Sequence, residues 1–209
     1  MVMTQAQTEP QPRKMSRDTR RAQLIEATIE TLALRGYART TLSDVADCAG
    51  LSHGLVNFHF QSKDLLLSET LAYLSAEYVQ NWRTALANAA KDPAAQLTAL
   101  IRADFRPELC TPQRLAAWCA FWGEAQSRPL YQEKCGSNNA EYVAKLEELC
   151  AALLGPNGNA VRVARAIRVT AEGLWMDLVT QVDPYSLVEA ENTAIACVAA
   201  FFPALSPAD

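Results

Sequence analysis

Residues 42–66 read "LSDVADCAGLSHGLVNFHFQSKDLL", and the punctuation of this stretch decides the fold. Leu42, Val45, Ala46 and Ala49 recur at the three- and four-residue spacing of one helical face. Thr40 or Thr41 can cap that helix with a hydroxyl, and Gly50 supplies a turn where positive φ costs glycine little. Leu51 returns to the core, and Ser52 caps a second, very short helix with Leu55, Val56 and Phe60 available for packing. Ser52, His53, Asn57 and His59 are left to point outward, with Gly54 between them. Two short helices around a tight glycine turn predict a helix-turn-helix, whose second helix enters the DNA major groove.

The chemistry of the stretch suits that role. Ser52, His53 and Asn57 carry donors and acceptors for base edges, and Gly54 lets the helix backbone approach closely. The helix that starts near Lys63 offers free N–H groups and a positive charge to a phosphate, and the Thr41 hydroxyl can do the same. His53 and His59 also raise a metal site or a catalytic base. They stand about 240° apart around a helix, too far to chelate one ion. Neither has a recognisable triad around it. No metal and no cofactor is expected.

Outward from this stretch, apolar residues keep helical spacing and no strand pattern appears. Asp92-Pro93, Thr111-Pro112 and Asp183-Pro184 each set a capping side chain before a proline suited to the first helical position. In "GPNGN", Gly155 ends one helix, and Asn157 or Asn159 starts the next. The expectation is an all-α chain of about nine helices, near 18–35, 42–49, 53–59, 63–90, 93–105, 112–127, 130–154, 160–182 and 185–202. Residues 1–17 read as a flexible basic arm, 18–66 as a helix-turn-helix DNA-binding domain, and 67–209 as a larger helical ligand-binding and dimerisation domain.

Composition narrows the class. With 209 residues, 50% hydrophobic and 20% charged, the chain can bury a sizeable core. No apolar run approaches the roughly 20 residues that span a bilayer, and the polar start lacks a secretion-signal core. The six cysteines are scattered without zinc-ligand spacing, which suits buried thiols in a reducing compartment. A cytoplasmic protein without a membrane partner is expected. The net charge of −4 divides into +3 over residues 1–21 and −7 over the rest, so a basic end sits on an acidic body.

In the body, Trp118, Phe121, Trp122 and Ala125 share one helical face, as do Glu172, Trp175 and Met176. Aromatic faces beside a carboxylate make a cage for a quaternary ammonium group, each cation–π contact contributing on the order of 1–2 kcal/mol when desolvated. Trp82 and Tyr142 are further candidates for such a pocket. Plain core packing explains the same faces. A pocket for bulky hydrophobic compounds, as in an efflux-type regulator, is a second reading. A small helical enzyme with Glu172 or Asp177 as base is a third. Val161, Ala164, Ile167, Ala171 and Leu174, then Leu187, Ile195, Val198 and Phe202, form stripes that bury against something, and Ala194, Ala196 and Ala199 permit close helix approach.

"TLSDVADCAGLSHGLVNFHFQSKDLL", preceded by "RRAQLIEATIETLALRGYART", resembles the DNA-binding domain of the TetR family of bacterial repressors. The resemblance rests on Ile25, Ala27, Gly36, Thr40, Thr41, Ala46, Ala49, Gly50, Ser52, Gly54, Phe60, Lys63 and Leu66. Asn57 departs from it. Most members carry a tyrosine there that contacts a phosphate, a contact that passes here to His59. "WCAFWGEAQSRPLYQEKC" and "AEGLWMDLV" are similar to the bodies of the BetI-like, choline-responsive subgroup. The resemblance implies a homodimeric repressor, not an enzyme. It also implies a near-palindromic double-stranded operator, a small-molecule effector in each body, and a four-helix dimer interface from the last two helices.

Overall fold

The computed structural model describes residues 16–124, 129–156 and 158–205. Among them the chain is all-helical: α1 (Arg17–Arg39), α2 (Leu42–Ala49), α3 (His53–His59), α4 (Lys63–Asn88), α5 (Pro93–Ala103), α6 (Pro112–Glu124), α7 (Pro129–Leu154), α8 (Ala160–Thr180) and α9 (Leu187–Phe201). A short 3-10 turn, Pro203–Leu205, follows. Of the basic arm, residues 1–15 lie outside the described residues, as do Ala125 and Asn157; Arg17, Arg20 and Arg21 begin α1.

The local signals act largely as expected. Ser52 accepts from the Leu55 N–H, Asp92 from Ala95, and Thr111 from Arg114. Asn159 caps α8 by accepting from Arg162. Gly50 closes α2 at φ 64°, a left-handed conformation that favours glycine. Gly36, at φ 73° and ψ 171°, breaks α1 where a stop was expected, but helical turns resume and run to Arg39. The last helix starts later than the Asp183-Pro184 signal suggests. Ser186 is its cap, accepting from the Glu189 N–H, and residues 181–186 form the bend before it.

The head is a three-helix unit. Leu24, Ile29, Leu32, Val45, Val56 and Phe60 are almost wholly buried, each such side chain contributing about 1.5–3 kcal/mol. Gln23 ties α1 to the end of α2 by donating to the Ala49 carbonyl. α4 leaves the head and runs into the body. There α4, α5, α7 and α8 pack side by side, with α6 between the body and α1.

Across the expected boundary near residue 66, head and body are in close contact, since α1 packs on α6 as well as on α2. Arg114 of α6 is the polar centre of that contact. Its guanidinium donates to both carboxylate oxygens of Glu26 on α1, at 2.9 and 3.2 Å, and to both of Glu77 on α4, at 2.9 and 3.0 Å. Most of the apolar stripe of the last two helices is consumed within the chain: Ala164, Ile167, Ala171, Leu174, Ile195, Val198 and Phe202 are buried. What α8 and α9 leave in the open is Val161 of that stripe together with Val169, Met176, Val188 and Phe201, which lie outside it.

Candidate functional site

Two arrangements carry chemistry, and the first is the outer face of α3. Ser52, His53, Gly54 and Asn57 are exposed, as expected. His53 and Asn57, one turn apart, join through the imidazole Nδ1 and the amide Nδ2 at 3.0 Å, which presents them as one polar row. Thr41 is also exposed, although its hydroxyl is engaged in a reciprocal cap. It donates to the Asp44 carboxylate at 2.7 Å and accepts from the Asp44 N–H at 3.2 Å. The bond from the Thr41 hydroxyl, with that from the Thr41 N–H and the charges of Arg35 and Lys63, holds the Asp44 carboxyl below the ordinary carboxylate range against the opposing effect of burial.

His59 and Lys63 differ from expectation. His59 ends α3 on its inner side, 8% exposed, and its Nδ1 finds no hydrogen-bond partner among the described residues. Burial, reinforced by Arg17, Arg21 and Arg20, lowers its pKa, and the buried ring does not face outward to a phosphate. Six positions at about 100° each set the two histidines on different faces of the helix, and the face that carries His59 is the one packed against the head. Lys63 donates from Nζ to the carbonyls of Tyr37 and Ala38 at 2.9 Å each and lies over the Tyr37 ring. It therefore closes the C-terminal end of α1, whose last carbonyls lack helical donors. The residue missed on this face is Phe58, 73% exposed, which the pattern of packing positions passed over.

The second arrangement is a cavity in the body of about 360 Å³. Trp118 and Trp122 reach it from α6, Tyr142 from α7, and Glu172 and Trp175 from α8. The Trp122 and Trp175 rings lie nearly parallel, 12° apart with centroids at 6.2 Å, and Trp118 lies beside Trp122 at 6.1 Å. Tyr78 meets Trp175 edge-on at 5.9 Å. Five of the eight expected ligand residues thus converge.

Trp82, Phe121 and Met176 do not line the cavity. Trp82 is buried behind Tyr142, edge to face at 6.0 Å. Phe121 turns the other way and packs edge-on against Tyr37 of α1 at 5.8 Å. Met176 faces outward, half exposed. A helical face about 100° wide is broader than a cavity wall, so residues at its margins meet other neighbours.

The expected buried acid also changes identity. Glu172 is partly exposed and paired with Arg168, one turn earlier, at 2.6 Å. The buried acid is Asp104, just past α5 and 3% exposed. Its two carboxylate oxygens accept from the Tyr78 and Tyr142 hydroxyls at 2.9 and 2.8 Å, and its carbonyl accepts from the Trp175 indole N–H at 2.9 Å. Burial raises its pKa to about 7, against the lowering effect of the two tyrosines, and Glu172 adds to the rise. Both tyrosines are pushed well above the ordinary range, by burial first and then by Asp104. Asp104 has a signal in the sequence: with Leu97, Leu100 and Ile101 it occupies one apolar stripe at i, i+3, i+4 and i+7. Tyr78, between Leu74 and Trp82 on a similar stripe, has one too. Arg168 had none.

Among the described residues no cluster of His, Cys, Asp or Glu is suited to a metal ion, and no helix is long and apolar enough to cross a membrane. The head and its exposed α3 define a helix-turn-helix DNA-binding regulator. Residues 24–70 match the family model for bacterial regulatory proteins of the tetR family, and residues 93–203 that for the C-terminal region of BetI-type transcriptional repressors. The chain belongs to the TetR family of transcriptional regulators and carries a BetI-type body, a repressor class and not an enzyme class.

Relatives agree along nearly the whole length. The HTH-type transcriptional regulator BetI of Paraburkholderia xenovorans (strain LB400) is 32% identical, over 88% of this chain and 93% of its own. That of Agrobacterium fabrum (strain C58) is 32% identical over 75% of each chain. A transcriptional regulator of Pseudomonas aeruginosa PAO1 superposes with a TM-score of 0.76 at 26% identity, covering 92% of this chain and 95% of that one. One from Saccharomonospora viridis, solved in complex with choline, does so with a TM-score of 0.72 at 19% identity, covering 85% and 94%. The latter likeness is one of fold.

Proposed function

We propose that this regulator is a homodimeric repressor that leaves its operator when a small quaternary ammonium compound, choline or a close analogue, enters the body cavity. The observation that carries this reading is the Trp118–Trp122–Trp175 cluster beside the buried Asp104 carboxylate. A quaternary ammonium cannot donate a conventional hydrogen bond, so aromatic faces and a nearby anion recognise it. The choline complex of the structural neighbour supports the same choice.

The body supplies a route from cavity to head. Arg114, Trp118 and Trp122 follow one another at four-residue steps along α6, so the helix that walls the cavity also holds Glu26 of α1. A cation drawing Trp118 and Trp122 inward favours a different seat for α6 and, through Arg114 and the Phe121–Tyr37 contact, for the head. In the dimer, the outward Val161, Val169, Met176, Val188 and Phe201 of α8 and α9 meet their copies. The two α3 helices then address successive major grooves of a near-palindromic site, on which Ser52, His53, Gly54 and Asn57 approach the bases.

The test is fluorescence anisotropy on an operator enriched from genomic fragments, with and without choline. Operator affinity is expected to fall about five- to 150-fold at saturating choline. Equal affinity with and without choline, or a response to bulky uncharged hydrophobic compounds instead, overturns the effector assignment.

A further inference from the structure

The exposed face of α3 consists of two parallel rows. His53 and Asn57, one helical turn apart and bonded to each other, form a polar row. Gly54 and Phe58, also one turn apart, form an apolar row beside it, with a bare backbone followed by a ring that is 73% exposed. Neither member of the second row serves the protein's own packing. A Cβ added at Gly54 meets nothing within 4 Å, and its φ is not positive, so no turn or internal contact requires glycine. Glycine inside a helix costs roughly 0.5–1 kcal/mol relative to alanine. Phe58 touches His59 edge-on at 5.2 Å and otherwise presents its ring outward.

On a DNA-reading helix, an exposed phenylalanine beside a side-chain-free backbone has one complementary partner in the major groove. The edges of guanine, cytosine and adenine present hydrogen-bonding groups there. Thymine alone adds a methyl group, which apolar side chains contact. We infer that Phe58 reads a thymine methyl in each operator half-site, with Gly54 letting α3 sink far enough into the groove for the ring to reach it. The His53–Asn57 row then meets the hydrogen-bonding edge of a neighbouring base pair. The inference rests on the DNA-binding assignment of the head, and its test separates the two because sequence-selective binding is measured first.

The experiment replaces each thymine of the enriched operator by deoxyuridine, which removes the methyl and nothing else, and titrates the full chain. One thymine position per half-site is expected to show a loss of about fourfold, the worth of one buried methyl, and about fifteenfold when both half-sites are substituted. Phe58→Ala is expected to bind the unmodified operator more weakly and to lose that deoxyuridine penalty. Phe58→Leu, which keeps an apolar side chain, keeps part of it. Gly54→Ala is expected to raise the melting temperature while weakening binding at least tenfold. A thymine penalty unchanged in Phe58→Ala, or a complete set of thymines indifferent to loss of the methyl, overturns the inference even where selective binding is intact.

Discussion

On α3 the side chains are exposed and held by neighbours one helical turn away. Around Asp104 they are buried, and they come from α4, α6, α7, α8 and the end of α5. The first arrangement is local, so a capping hydroxyl, a glycine turn and a helical period were enough to place Ser52, His53, Gly54 and Asn57. The second is assembled across the fold, and spacing within one helix placed only part of it. The difference is also energetic. An exposed face can hold polar groups against water at little cost. A cavity must satisfy every buried donor and acceptor, and the two tyrosines and the Trp175 indole do so around Asp104.

That contrast can be broken most sharply at Asp104. Asp104→Asn is expected to weaken choline binding about a hundredfold at pH 8, as for a charge pair about 6 Å apart at an effective dielectric near 20. For the unaltered protein, choline affinity should fall as pH drops below about 7, where Asp104 takes up a proton, and hold steady above it. The stability sign follows from the same shift. The folded pKa lies above the ordinary 3.8, so Asp104 contributes stability below that value that is lost as pH rises towards about 7. The asparagine variant should lose this slope in melting temperature between pH 5 and pH 8. Calorimetric titration at the two pH values is the check, and a pH-independent affinity in the unaltered protein removes Asp104 from the cation site.

A smaller effect is expected at Trp122, which is half-buried. Trp122→Leu should weaken choline binding about tenfold while the fold is retained, since one desolvated cation–π contact is worth on the order of 1–2 kcal/mol. Unchanged affinity would return Trp122 to plain core packing. The smallest effect concerns the head. Lys63→Met should lower stability by about 1–2 kcal/mol through loss of its bonds to the Tyr37 and Ala38 carbonyls. The salt dependence of operator binding should stay as it was. A slope shallower by roughly 0.9 for each lost phosphate contact would instead make Lys63 a DNA contact.

His59 shows how far local reading reached within the head itself. It shares the polar character of His53, yet six residues of helix turned it inward beside Arg21, whose guanidinium bonds the His59 carbonyl and lies over the Phe60 ring. Phe58, its neighbour, faces solvent beside Asn57 instead. Composition had pointed the other way on both residues. Periodicity assigns faces, and which face is buried at the end of a seven-residue helix depends on what packs against it.

The sequence by itself determined the all-helical class, the helix order, most of the caps, the reading helix and the kinship with TetR-family repressors. The helices and their caps rest on short-range hydrogen bonding and a 3.6-residue period, both written along the chain; the kinship rests on the resemblance of particular residues from Ile25 to Leu66 to the family's DNA-binding domain. Only the tertiary structure decided that Asp104 and not Glu172 is the buried acid, that Arg114 binds α1 to α4 through α6, and that Phe121 and Trp82 turn away from the cavity. Burial and charge pairing depend on residues tens of positions apart, such as Arg114 and Glu26, whose meeting no local pattern encodes.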